Sequence, residues 1–119
     1  MKVSIIVPCY NSMKYIDQCI DSVLAQDYDN YEVYLYDNES TDGTLEHIQA
    51  RASQNRLLNV VSVKNVYPNS YREAFEHAFE NIETDYLTFV ASDDFLSANY
   101  ISNCMEIISS NPNKIKCIQ

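Results

Sequence analysis

Short apolar runs rich in β-branched and aromatic residues alternate with helix-periodic segments along the whole chain. This alternation predicts an α/β fold: a three-layer sandwich with a mostly parallel sheet and helices on both faces. Two further observations support it. The run Val3-Ser4-Ile5-Ile6-Val7 is near-continuous in apolar character, as strands buried on both faces are. Asp37 and the pair Asp93-Asp94 each close an apolar run, so a parallel sheet would gather them at one edge, where open α/β sheets bind ligands.

The elements follow in order. Val3–Val7 reads as a buried strand stopped by Pro8, and Asn11-Ser12 offers an N-cap for the next segment. From Met13 to Ala25, Ile16, Cys19, Ile20, Val23 and Leu24 recur at helical spacing. Tyr31–Tyr36 is a second strand, β-branched and aromatic. The loop Asp37-Asn38-Glu39-Ser40-Thr41-Asp42-Gly43 is rich in turn formers, and Ser40 or Thr41 can cap the helix that carries Leu45, Ile48 and Ala52. Leu57–Val63 is a third strand, and Tyr71–Ile82 a helix with Ala74, Phe75, Ala78, Phe79 and Ile82 on one stripe. Tyr86–Val90 is the fourth strand. Ser97 caps a helix through Ile108, and Lys114–Ile118 reads as a fifth strand.

A chain of 119 residues is the size of a single domain, and residues 1–119 are read as one. Because the sequence stops directly after a predicted strand, it is expected to be part of something longer. The net charge is −9 with no Lys/Arg cluster, which argues against nucleic acid as a partner. Cys9, Cys19, Cys104 and Cys117 show no C-x-x-C spacing, so reduced core thiols are expected and structural zinc is not. No signal peptide and no transmembrane segment are visible, and a cytoplasmic chain is expected, with room for peripheral attachment to the inner face of the membrane. The single glycine, Gly43, rules out a P-loop or a G-x-G-x-x-G turn. A nucleotide would have to be held by side chains and a metal.

Each candidate site residue has two readings. Asp93 and Asp94, followed by Phe95-Leu96 that would pack, can offer carboxylates on a fixed turn to Mg²⁺ or Mn²⁺, which take one or two carboxylates plus phosphate oxygens and water. The alternative is that Asp93 caps a helix and Asp94 is solvated. Asp37 can accept from a nucleobase N–H or a ribose hydroxyl, or it can form an Asx-turn. In Pro8-Cys9-Tyr10-Asn11, Tyr10 can stack on a base and Asn11 can bond a ligand, or Pro8 ends the strand and Asn11 caps a helix. Arg72 can contact a diphosphate or stand exposed at a helix start. His47 and His77 read as surface or packing residues. A phospho-receiver domain would place an acidic pair where Cys9-Tyr10-Asn11 stands.

Taken together, these segments resemble family 2 glycosyltransferases of the Rossmann-like GT-A fold. The run from Val3 to Asn11 looks like that family's opening strand, Asp37 to Thr44 like its second-strand loop, and Ser92-Asp93-Asp94 like its DXD-type metal site. The resemblance spans essentially the whole chain. It implies that Pro8 and Tyr10 line the nucleotide pocket with Asn11, and that Asp37 contacts a uracil or equivalent base. It further implies that Asp94, helped by Asp93, binds Mn²⁺ or Mg²⁺ on the diphosphate, and that Arg72 is a looser diphosphate contact. The implied activity is metal-dependent, inverting sugar transfer from a nucleoside-diphosphate sugar to a hydroxyl acceptor such as a growing glycan or glycolipid. The catalytic base is expected beyond Gln119. Three positions depart from the family pattern: Asn38 stands where a second Asp is frequent, Glu39 where Gly is frequent, and Ala91 where a third acid often begins the metal motif. The competing reading is a non-catalytic nucleotide-binding or interaction module.

Overall fold

A computed structural model describes residues 1–65 and 71–111. Four strands, β1 (Val3–Cys9), β2 (Tyr31–Asn38), β3 (Leu58–Val63) and β4 (Tyr86–Phe89), alternate with four helices, α1 (Ile16–Leu24), α2 (Thr44–Ser53), α3 (Arg72–Asn81) and α4 (Tyr100–Ser110). All strand pairs are parallel and the sheet order is β3-β2-β1-β4. The predicted fifth strand, Lys114–Ile118, lies outside the described residues.

Alternation along the strands divides the core in two. Val3, Ile5, Val7 and Cys9 of β1 and Val33 and Leu35 of β2 pack with Ile16, Cys19, Ile20 and Val23 of α1, Ile48 of α2, and Ile101, Met105 and Ile108 of α4. On the opposite face Ile6 and Tyr36 pack with Ala74 and Ala78 of α3. Three layers result. The change of face accompanies a change of direction. β1, β2 and β3 step one way across the sheet, and the chain then crosses back under α3 to place β4 on the other side of β1. Right-handed crossovers require this switch of face. The reversal lies between β1 and β4, and ligands of open α/β sheets sit at the carboxyl ends of strands at such a reversal.

Several boundaries differ from the sequence reading. Pro8 does not stop β1, which continues to Cys9 in register with Asp37. Proline in a central strand forfeits a ladder hydrogen bond. Here Pro8 lies on the β4-facing side, as Ile6 does, and β4 has ended at the level of Ile6 (Ile6↔Phe89), so no partner is deprived. β2 likewise runs to Asn38, carrying Asp37 inside the strand. Asn11 and Ser12 do not cap α1, which starts at Ile16 without a side-chain cap; the Ser12 carbonyl instead accepts the N–H of Tyr15 and Ile16. Neither Ser40 nor Thr41 caps α2. Asp42 Oδ1 accepts the Thr44 N–H at 3.0 Å, and Gly43 turns the chain with φ 91°, a conformation glycine adopts without strain. Ser97 contributes only its carbonyl, to the Tyr100 N–H, ahead of α4. Among the described residues no helix is long and apolar enough to cross a membrane.

Candidate nucleotide site at the carboxyl edge of the sheet

Parallel register brings the ends of the strands to one edge, and a network of loop contacts closes it. The Asn11 N–H donates to Ser40 Oγ at 2.9 Å, and Asn11 Oδ1 accepts the Thr41 N–H at 2.7 Å. These bonds tie the loop after β1 to the loop after β2. Ser12 Oγ and Ser92 Oγ lie 2.6 Å apart, joining the β1 loop to the segment after β4. Cys19 Sγ of α1 reaches the Ala91 carbonyl. Asp37, Asp93 and Asp94 therefore stand around one edge, as the sequence predicts.

Asp37 is the unusual member. It is 1% exposed. Oδ2 accepts the Ser40 N–H at 3.1 Å, three residues on and so not the expected Asx-turn, while Oδ1 is buried and among the described residues has no partner. A buried carboxylate oxygen left unpaired is costly, and such atoms call for an explanation. Beside Asp37, the Asn38 side-chain amide donates to the Cys9 and Tyr36 carbonyls and locks the ends of β1 and β2 together. A second Asp at this position could not donate to those carbonyls, which accounts for the amide here.

Asp93 and Asp94 are exposed, on a turn closed by the Asp94 N–H to the Ala91 carbonyl. Among the described residues neither carboxylate has a protein hydrogen-bond partner. Their charge is felt next door: burial first, then Asp94 and Asp93, push the Cys19 thiol up to about 12. Burial, then Cys19 and Asp37, push Cys9 up further. These two thiols thus link Asp37 electrostatically to the Asp93-Asp94 turn. Burial keeps both thiols protonated. Among the described residues, no group of three or more His, Cys, Asp and Glu is placed to hold a metal by itself. Two free, adjacent carboxylates nevertheless fit a hard cation such as Mg²⁺ or Mn²⁺ that draws its remaining ligands from phosphate and water.

Of the other predicted residues, Tyr10 is 40% exposed at the rim and free to stack. Pro8 lies within β1 opposite Tyr36, one register pair before Asp37. Asn11 is committed through Oδ1 to Thr41 and works as a loop tie. Arg72 is not turned to the edge in this structure: its Nε pairs with Glu76 at 2.9 Å on the exposed surface of α3. The neighbouring Tyr71 faces the edge instead. Its phenol is raised by burial and then by nearby Cys9 and Asp93. Sequence reasoning gave Tyr71 no role at the site, read Ser12 only as a cap, and read Ser92 only as part of the acidic motif. Tyr71 stands three positions ahead of Ala74, in phase with the helical stripe, but periodicity does not separate a packing tyrosine from one that reaches the site edge.

A family model described as Glycosyl transferase family 2 matches residues 4–119. The chain belongs to glycosyl transferase family 2. Among its relatives, the glycosyltransferase GlyG of Streptococcus pneumoniae serotype 4 is 32% identical over 99 residues, covering 83% of this chain and 32% of GlyG. The poly(ribitol-phosphate) β-N-acetylglucosaminyltransferase TarS of Staphylococcus aureus is 30% identical over 122 residues, covering 100% of this chain and 21% of TarS. A crystal structure of S. aureus TarS 1–349 in complex with UDP-GlcNAc superimposes with a TM-score of 0.79 at 29% identity, over 100% of this chain and 37% of that one. The sheet and its helices are thus those of the GT-A glycosyltransferases. The chain spans about a third or less of the length of these curated relatives.

Proposed function

We propose that residues 1–119 form one domain, the nucleotide-sugar-binding half of an inverting glycosyltransferase. It moves a sugar from a nucleoside-diphosphate donor, with uracil as the base, to a hydroxyl acceptor in polysaccharide or glycoconjugate synthesis. The observation that carries this reading is the buried Asp37 carboxylate with one unpaired oxygen, on a strand end beside two free carboxylates. A uracil ring presents an N–H donor that satisfies such an oxygen, and the donor-binding relative TarS aligns over the full chain.

The roles follow from chemistry. Asp37 accepts from the base, and Tyr10 stacks on it while Pro8 and Asn11 shape the pocket wall. Asp93 and Asp94 hold Mn²⁺ or Mg²⁺, an ion that supplies positive charge for a departing diphosphate. Arg72 reaches the diphosphate by exchanging its exposed pairing with Glu76, a type of contact weak enough to give up. The base that deprotonates the acceptor comes from outside these residues.

Calorimetry of UDP binding with Mn²⁺, repeated with EDTA and with Asp94→Asn, tests the proposal. Binding that weakens sharply in both arms supports it. Binding that survives both removes the metal bridge from the account, and no UDP binding in any arm removes the nucleotide.

A further inference from the structure

Among the described residues only three have positive φ: Gly43, Asn11 at 47° and Glu39 at 57°. Asparagine tolerates this region through its short polar side chain, whereas glutamate has no such local compensation. Asn11 and Glu39 each stand two residues past the register pair Cys9↔Asp37, so both strained positions lie at the mouth of the candidate site. The strain at Asn11 is accounted for by its bonds to Ser40 and Thr41.

The backbone of Glu39 turns the next residue back, so that the Ser40 N–H reaches Asp37 Oδ2. Glycine would make the same turn without strain, so the turn alone does not call for glutamate. What the side chain adds is one contact. Glu39 Oε1 accepts the backbone N–H of Asn65 at 2.9 Å, a charge-assisted bond. Asn65 lies two residues beyond the end of β3, the edge strand, where the ladder has stopped. Asn65 also carries a buried side-chain oxygen that has no partner among the described residues. The strained Glu39 therefore ties the loop after β2 to the residue that follows β3. Strain that persists at such a place is a reason to look for a role.

We propose that Glu39 is a positioning residue: its carboxylate pins the chain leaving β3, at Asn65, against the loop that carries Asp37, and so fixes one wall of the nucleotide site. The inference rests on the nucleotide-binding reading for its affinity arm and stands independently of it for its structural arm.

The test compares wild type with Glu39→Gly and Glu39→Gln. Glycine keeps the turn and removes only the carboxylate; glutamine keeps an acceptor oxygen. Amide hydrogen exchange at Asn65 and UDP affinity with Mn²⁺ are read together with thermal stability. Glu39→Gly should leave the melting temperature unchanged or raised, abolish Asn65 protection and weaken UDP binding by about fivefold, the worth of one hydrogen bond. Glu39→Gln should restore most of both. Retained Asn65 protection in Glu39→Gly overturns the clamp, and so does wild-type UDP affinity in that variant. If wild type binds no UDP, the nucleotide reading fails, and the Asn65 exchange comparison still decides the clamp.

Discussion

Replacing Asp37 by Asn should separate stability from binding. The carboxylate is buried, with one oxygen on the Ser40 N–H and the other unpaired. An unpaired buried polar atom costs about 1–3 kcal/mol, and more when it is charged. Asparagine keeps an oxygen for Ser40 and removes the buried charge. The free protein should therefore hold its stability or gain about 1 kcal/mol, a rise of about 4 °C in melting temperature. Binding should move the other way. A hydrogen bond to a charged acceptor contributes about 1.5–3 kcal/mol, so UDP affinity should fall roughly 10- to 150-fold. Differential scanning fluorimetry and calorimetry on the same preparations read both. A melting temperature several degrees lower with UDP affinity intact would refute the reasoning, because Asp37 would then be a structural residue.

Two further outcomes are expected. Ser92→Ala removes the 2.6 Å bond to Ser12 that joins the β1 loop to the Asp93-Asp94 turn, and should lower stability by about 1 kcal/mol in urea titration; an unchanged midpoint contradicts the tie. Cys9 and Cys19 are fully buried and their thiols are raised, chiefly by burial. A thiol held protonated in the fold contributes stability that is fully present below its unfolded value near 8.5 and is lost as pH rises above it. Between pH 9 and 11 stability should fall by up to about 1.4 kcal/mol per pH unit for each thiol. The double variant Cys9→Ala/Cys19→Ala should show a flatter profile, and an identical slope in the two proteins would count against this account.

Much of the fold was legible because apolar patterning is read locally. Ile16, Cys19, Ile20 and Val23 announce the buried stripe of α1, and all four are fully buried. The acidic corners stood out through the order of three motifs together, since Asp37, Asp93 and Asp94 taken singly each have a structural reading. What the sequence concealed depends on contacts distant along the chain. Pro8 stays in β1 because β4 stops short beside it, a fact of the neighbouring strand and not of Pro8. Helix starts were misplaced because Ser12, Ser40 and Thr41, all good capping types, are engaged by partners about thirty or more residues away along the chain, as in Ser12 with Thr44 and Ser92. Arg72 and Tyr71 exchange places because Tyr71, three residues before Ala74, shares the face of α3 that packs on the sheet, whereas Arg72 lies off that face and pairs with Glu76.

The central claim is that the carboxyl edge of the sheet is the ligand site. Amide chemical shifts recorded during titration with UDP and diamagnetic Mg²⁺ test it most directly. Shifts should concentrate at Tyr10, Asn11, Asp37, Glu39 and Asp93, while Val3, Tyr31 and Asp85 at the amino edge stay in place. Shifts centred on the amino edge or on the Arg51–Asp17 surface, with the Asp37 amide unmoved, would contradict it.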